Sequence, residues 1–265
     1  MYDFKYQKAS SVADAAKVIG GDSEAKLVAG GMTLIPTLKQ RLAKPTQLVD
    51  LGGIAELKGI KKDGNAIVIG AMTKHVEVAT SDVVKGAIPA LAHLAELIGD
   101  PQVRNRGTLG GSIANNDPAA DYPAAVVGLN ATVITNKRKI AAEEFFKGMF
   151  ETALAPDEII TAVSFPIPEK AGYEKFRNPA SRYAIVGAFV AKSASGVRVA
   201  VTGAGPSVFR QKDMEAALGK SFTADAVANI KQSANGLNAD IHASAEYRAH
   251  LVTVMAKRAV QRATG

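Results

Sequence analysis

Two glycine-rich segments constrain this chain more than any other feature of it. The first, Ala29-Gly30-Gly31-Met32-Thr33, lies between a run that reads as a strand (Lys26-Leu27-Val28-Ala29) and one that reads as a helix, Thr33 to Lys39, with Pro36 near its first turn. Adjacent glycines at a strand-to-helix turn let the backbone approach a ligand closely. The helix N-terminus then presents free N–H groups, which suits an anion. Thr33 adds a hydroxyl. The same residues also suit a plain tight turn. The second segment runs Gly107-Thr108-Leu109-Gly110-Gly111-Ser112-Ile113-Ala114-Asn115-Asn116-Asp117. It repeats the paired glycines, places a hydroxyl on each side of them and adds amide side chains. Two such segments in one chain suggest two loops gripping one ligand, and a diphosphate is the natural candidate. Asp121 then becomes a candidate contact to a sugar or base.

Composition removes several alternatives. None of the 265 residues is Cys. That excludes a disulfide framework, a Cys-ligated zinc, a thiolate nucleophile and a Cys-bound iron–sulfur cluster within this chain. Lys plus Arg number 32 against 25 Asp plus Glu, for a net charge of +7. The basic residues are scattered, and the densest runs (Lys61-Lys62, Lys137-Arg138-Lys139) are short. The charge therefore reads as a solvated surface, or a patch that meets an acidic partner, rather than as a nucleic-acid footprint. No stretch approaches the ~18 apolar residues of a membrane span. The start, Met1-Tyr2-Asp3-Phe4-Lys5, has no apolar region behind a basic end, so no signal peptide is expected.

The pattern of elements divides the chain in three. Residues 1–55 read helix (10–19), strand (26–29), glycine turn, helix (33–39) and strand (48–51). Residues 56–168 open with a hairpin, 59–62 and 66–69 about Asp63-Gly64. An amphipathic helix (88–98) follows, then an irregular stretch from Gln102 to Pro123, a helix opened by Asp121 and running to Val127, and strands at 131–134 and 159–165. Pro166-Ile167-Pro168 marks a boundary. Residues 172–265 give strands at 173–177, 183–192 and 197–202, then helices at 212–218, 224–232 and 244–262. Strands followed by helices suggest a separate α+β unit.

Other motifs fail. Gly219-Lys220-Ser221 resembles the end of a P-loop, but Met214 stands where the first glycine is required. Gly203-Ala204-Gly205 follows a strand, but Val208 occupies the third glycine position of a dinucleotide fingerprint. The four histidines show no metal-ligand spacing. Asp117 and Asp121 could share a cation, though Pro118 and Pro123 beside them favour turn and cap roles.

Three strings carry a resemblance: Ala29-Gly30-Gly31-Met32-Thr33-Leu34-Ile35-Pro36, Thr108-Leu109-Gly110-Gly111-Ser112 and Asp117-Pro118-Ala119-Ala120-Asp121. In this order and spacing they resemble the FAD-binding medium subunit of molybdenum hydroxylases, the carbon monoxide dehydrogenase and xanthine dehydrogenase family. Ser244-Ala245-Glu246-Tyr247-Arg248, with Arg258-Ala259 ten residues later, resembles that family's closing helix. The resemblance implies an α+β chain. Two α/β subdomains would form the vanillyl-alcohol-oxidase-like (PCMH-type) FAD-binding fold, and a C-terminal domain would combine a three-stranded antiparallel sheet with helices.

It also implies roles residue by residue. Ala29, Gly30, Gly31, Met32, Thr33 and Leu34 match the first diphosphate loop, with Met32 where relatives often have His or Gln. Thr108, Leu109, Gly110, Gly111 and Ser112 match the second, with Ser112 where Asn is common. Asn115 and Asp117 continue that loop. Asp121 matches an acidic residue that holds the adenosine part, and Ile160 an aliphatic position near the flavin or adenine. Lys175 matches a lysine near the isoalloxazine, in competition with Arg177. Tyr183 matches a tyrosine that covers one flavin face. No residue is expected to act as a general base, and no metal ligand is expected here.

The implied function is electron transfer by FAD. Electrons come from [2Fe–2S] clusters on a small subunit, fed by a molybdenum cofactor on a large molybdopterin-binding subunit. They leave to an external acceptor: quinone, NAD, oxygen or a cytochrome. The assembly would be a dimer of heterotrimers in the cytoplasm or at the inner face of the membrane. A self-sufficient FAD oxidoreductase and an FAD-free scaffold are the alternatives.

Overall fold

Three main sheets, one parallel and two antiparallel, organise all 265 residues in a computed structural model. The first is parallel, with strand Gln47–Asp50 between Lys5–Lys8 and Lys26–Val28. The helix Val12–Gly21 crosses between its outer strands. Ser11 caps that helix by accepting the Asp14 N–H, and Val12, Ala15 and Ile19 face inward. The strand Lys5–Lys8 was not expected from the sequence. Its residues are polar and mostly exposed, so it carries no alternation to detect. The glycine turn and the short helix Leu34–Lys39 follow the strand Lys26–Val28.

The second sheet has five strands in the order Ile60–Asp63, Ala66–Gly70, Ile160–Pro166, Thr132–Thr135, Lys139–Ala141. The expected hairpin is present, with Gly64 at φ +55°. Helices His75–Thr80, Asp82–Ala87, Pro89–Glu96 and Tyr122–Gly128 cover the sheet; the first two have no counterpart in the sequence reading. The stretch from Gln102 to Pro123 is not irregular. It contains the helices Pro101–Arg106 and Leu109–Asn115. Asp100 caps the first, with Pro101 at its opening position, and the Thr108 hydroxyl accepts the Gly111 N–H to cap the second. Gly110 and Gly111 are poor helix formers. Burial decides the matter: a Cβ on Gly110 would lie 2.6 Å from the Ala71 Cβ.

The C-terminal sheet has four strands, not three: Lys170–Arg177, Ala184–Ser193, Gly196–Thr202 and a two-residue strand, Phe209–Arg210, which pairs through Val201 and Ala200. So short a strand leaves no pattern in sequence. The helix Ala245–Thr264 packs on one face. The helix expected over 224–232 stops at Val227. Strand Ala184–Ser193 is buried along its first eight residues because both its faces are covered. Val186, Ala188 and Val190 face the C-terminal helix, whereas Phe189 and Ala191 join the core of the five-stranded sheet.

Candidate functional site

A cleft of about 770 Å³ opens beside the first glycine turn, within the usual range for ligand pockets of roughly 300–1,000 Å³. Its lining includes the turn at 29–34, the segment 107–121, the stretch 154–160 and the turn at 181–183, with further residues from 19–27, 51, 71–75 and 98–103. Ala29 to Leu34, Thr108, Gly110, Gly111, Ser112, Asn115, Asp117, Asp121, Ile160 and Tyr183 all reach it. Leu109 does not. Its side chain is fully buried in the core, because a residue one place into the helix points inward there. Lys175 is also outside the lining, for a reason given below.

The two glycine segments differ in what they offer. In the first, the five successive N–H groups from Gly30 to Leu34 donate to no protein acceptor. They form an open set of donors at the cleft wall, the arrangement that binds anions. Gly31 has φ +73°, and a Cβ there would lie 2.9 Å from Ile35 Cγ1. A Cβ on Gly30 would lie 2.2 Å from the Arg106 carbonyl oxygen, so this glycine lets the two segments approach each other.

The second segment does not repeat that chemistry. Its N–H groups are spent within the protein: Leu109 on Thr73 O at 3.0 Å, Gly110 on Ala71 O at 2.8 Å, Ser112 on Thr108 O at 3.0 Å and Gly111 on the Thr108 hydroxyl at 3.1 Å. Gly110 serves packing against Ala71, and a Cβ on Gly111 would lie 2.9 Å from the Thr108 hydroxyl and 3.4 Å from the Ala29 Cβ. What it presents to the cleft is the Ser112 hydroxyl and the Asn115 amide.

Asp121 stands at the head of the helix Tyr122–Gly128 but does not cap it. Its carboxylate binds the Lys175 ammonium at 2.9 Å, and the Tyr173 hydroxyl donates to it. The Lys175 and Asp121 side chains are 2% and 4% exposed. Burial pushes the Asp121 carboxyl upward, and Lys175 and then Tyr173 oppose that shift. Lys175 also donates to the Arg182 carbonyl at 2.8 Å. Its charge is therefore turned inward and neutralised, whereas Arg177 is exposed at the end of its strand.

That bond holds the turn that carries Tyr183. Asn178 Oδ1 accepts the N–H groups of Ala180 and Ser181, Arg182 takes φ +63°, and the Asn178 N–H donates to the Tyr183 carbonyl. Strand Ala184–Ser193 begins only after Tyr183, which frees its ring to reach the cleft beside Thr33. Burial raises its hydroxyl, with Asp117 and Asp121 adding to the effect. Asp117 accepts the Ala119 N–H at 2.9 Å, the turn role its neighbouring Pro118 suggests.

Two of the lining residues that the sequence reading did not single out are His75 and Glu158. His75 is buried, its Nδ1 has no partner, and its ring lies 5.4 Å from that of Tyr122. Burial, and then Arg104, lower its pKa to about 4, so it is a neutral group in the cleft wall. Glu158 accepts from Arg138 Nε at 2.9 Å, the Thr135 hydroxyl at 2.7 Å and the Ala155 N–H at 2.9 Å. Neither residue sits in a motif. Only the fold brings them to the cleft.

Comparison with known proteins now decides the family. Residues 2–168 match the FAD binding domain in molybdopterin dehydrogenase, and residues 171–263 match the CO dehydrogenase flavoprotein C-terminal domain. The chain belongs to the FAD-binding medium subunits of the molybdenum hydroxylases. It is 35% identical to the carbon monoxide dehydrogenase medium chain of Hydrogenophaga pseudoflava, covering 98% of this chain and 96% of that one. It is 34% identical to the glyceraldehyde dehydrogenase medium chain of Sulfolobus acidocaldarius, covering 97% of each. The fold matches reconstituted CO dehydrogenase from Oligotropha carboxidovorans with a TM-score of 0.92 at 33% identity, over 99% of this chain and 98% of that one. The PCMH-type FAD-binding architecture expected from the sequence is thereby shown. So is the chain's place as a flavoprotein subunit of a molybdenum hydroxylase-type oxidoreductase. No helix is long and apolar enough to cross a membrane.

Proposed function

We propose that this chain holds FAD in the 770 Å³ cleft, receives electrons from [2Fe–2S] clusters on a small subunit and passes them to an external acceptor. A large molybdopterin-binding subunit would carry the substrate chemistry, in a cytoplasmic dimer of heterotrimers. The observation that carries the flavin site is the row of five N–H groups, Gly30 to Leu34, with no acceptor of their own. A diphosphate satisfies such a row. When bound, the isoalloxazine supplies reversible two-electron chemistry.

The protein's part is binding and orientation. The 30–34 turn would hold the diphosphate, while Ser112 and Asn115 would add side-chain hydrogen bonds from the opposite wall. Ile160 would give apolar contact to a ring, and Tyr183 would cover one face of the flavin. Asp121 is committed to Lys175 and Tyr173, so its part is to fix the wall rather than to reach out with a free carboxylate. Lys175 would act as the anchor of the Tyr183 turn. The medium chains it resembles belong to a carbon monoxide and a glyceraldehyde dehydrogenase, which agrees with substrate choice residing on another subunit. Residues 1–55, 56–168 and 172–265 are assigned as the two flavin subdomains and the C-terminal domain, in keeping with one main sheet in each.

The test is direct. The purified chain mixed with FAD and passed through gel filtration should keep the flavin's visible bands. Gly31→Val should lose them while far-ultraviolet dichroism is retained, because it closes the turn that exposes the N–H row. Gly110→Val is uninformative, since it strikes Ala71 and damages the fold. Tyr183→Ala should retain FAD and change its reoxidation rate. A wild-type chain that emerges colourless overturns the proposal.

A further inference from the structure

Lys175 spends its charge on Asp121, so any positive charge that faces the cleft comes from elsewhere. Only two lysines or arginines line it, Lys26 and Arg182. Lys26 opens the strand that leads to the glycine turn. Arg182 is the neighbour of Tyr183, and its side chain is exposed. Its guanidinium reaches the loop before the helix Pro101–Arg106, where Nη1 donates to the Gly99 carbonyl at 3.4 Å. No carboxylate pairs with it.

The same carbonyl accepts from Arg104 Nη1 at 3.1 Å, and Arg104 also holds the Ile98 carbonyl at 3.0 Å. Arg104 too has no carboxylate partner. Two guanidiniums therefore converge on one neutral oxygen, although like charges repel at such range. Ile98, Gly99, Val103 and His75 line the cleft around this point. The Arg104 charge is felt there, since it adds to the lowering of the His75 pKa.

The carboxylates of the cleft do not cancel the pair. Asp121 is bound to Lys175, and Glu158 to Arg138. Asp117 has no cation, and burial pushes its carboxyl upward, away from the charged form. Asp100, next to Gly99, caps its helix through the Val103 N–H at 2.8 Å and lies outside the lining. The backbone of Arg182 is fixed as well. It takes φ +63°, its N–H donates to the Asn178 carbonyl at 2.9 Å, and its own carbonyl accepts from Lys175 at 2.8 Å. A glycine would adopt that φ without cost; the arginine puts a cation at this place.

We propose that Arg182, backed by Arg104 through Gly99, supplies the positive charge that a reduced flavin meets in this cleft and thereby sets its midpoint potential. The proposal rests on the flavin reading above. Two electrons from the clusters of the small subunit and one proton from solvent leave one negative charge on the flavin ring. A fixed cation stabilises that charge and does little for the uncharged oxidised ring, so it raises the potential. Lys175, already neutralised, has no charge left to contribute.

The experiment is a spectroelectrochemical titration of the full chain loaded with FAD, as wild type and as Arg182→Gln, Arg182→Lys and Arg104→Gln. At the wild-type midpoint, Arg182→Gln should shift the ratio of reduced to oxidised flavin at least about tenfold toward oxidised, which is about 30 mV for a two-electron couple. Arg104→Gln should shift it in the same direction by less, and Arg182→Lys should restore most of the wild-type ratio. A potential unchanged in Arg182→Gln overturns the proposal. So does loss of FAD from Arg182→Gln with the potential of Arg104→Gln unchanged, because the pair would then be a clamp on the ligand. A wild type that emerges without FAD overturns the flavin reading, and this proposal with it.

Discussion

At Lys175 a single ammonium joins two parts of the molecule. It neutralises the buried Asp121 carboxylate and grips the Arg182 carbonyl, so the wall of the cleft and the turn that carries Tyr183 are tied through one atom. Removing one partner of a buried pair leaves the other charge stranded, which costs about 3–5 kcal/mol. Lys175→Met should therefore lose stability of that order in urea denaturation. Pairing it with Asp121→Asn should recover most of the loss, because the desolvated carboxylate goes with it. Equal stability of the single and double variants would show that the pair is not coupled. The sequence pointed to Lys175 and Asp121 as separate site residues. Their partnership was not legible, because 54 residues separate them and only the fold sets them face to face.

Among the elements, the stretch from Ala153 to Ile159, which leads into the strand Ile160–Pro166, has no regular structure, yet it forms one wall of the cleft. Glu158 holds it. Its carboxylate binds the Arg138 guanidinium through both oxygens and accepts the Ala155 N–H, and bidentate charge-assisted bonds of this kind are the strong ones. Arg138 chiefly, and then the Ala155 and Thr135 bonds, lower its pKa to about 2. A carboxyl whose folded pKa lies below its unfolded value stabilises the protein above the unfolded value. That contribution is lost as pH falls. The window here runs from about pH 4.5 down to about 2. Because Arg138 is half exposed, solvent screening reduces the effect to roughly 2 kcal/mol. Glu158→Gln should lose about that much at neutral pH and flatten the acid limb of a stability–pH curve below about 4.5. An unchanged acid limb would remove Glu158 from this role. The helices from Pro101 to Asn115 teach a related lesson. Gly110 and Gly111 made the segment look irregular, and tertiary contact with Ala71 overrode that weak propensity.

Across the whole molecule, the Pro166-Ile167-Pro168 boundary separates sheets but not cores. The 31-residue core of the five-stranded sheet includes Tyr173, Phe189, Ala191 and Ala200 from beyond it. Phe189 is fully buried and packs against Gly128. Phe189→Ala should cost about 3–5 kcal/mol, and calorimetry should show one transition shifted downward as a unit. Two separate peaks, with only the C-terminal one shifted, would show that the domains unfold independently. The shared core also explains why the Tyr183 turn, which belongs to the C-terminal domain, can meet a cleft whose other walls come from the first 160 residues.

The sequence by itself determined the family, the order of the sheets and the glycine turn at 29–34. These are local: a motif, a period of apolar residues, or a positive φ leaves its mark in consecutive residues. It also fixed, through the absence of Cys, that any iron–sulfur cluster must reside on another chain. Tertiary structure alone decided the rest. It closed the second glycine segment with its own hydrogen bonds and turned Lys175 inward onto Asp121. It brought His75 and Glu158 to the cleft, and set Arg182 and Arg104 on one carbonyl beside it. Each of these depends on groups far apart in the chain meeting in a desolvated space, where a hydrogen bond or a charge pair is set by position and burial and leaves no pattern between neighbouring residues.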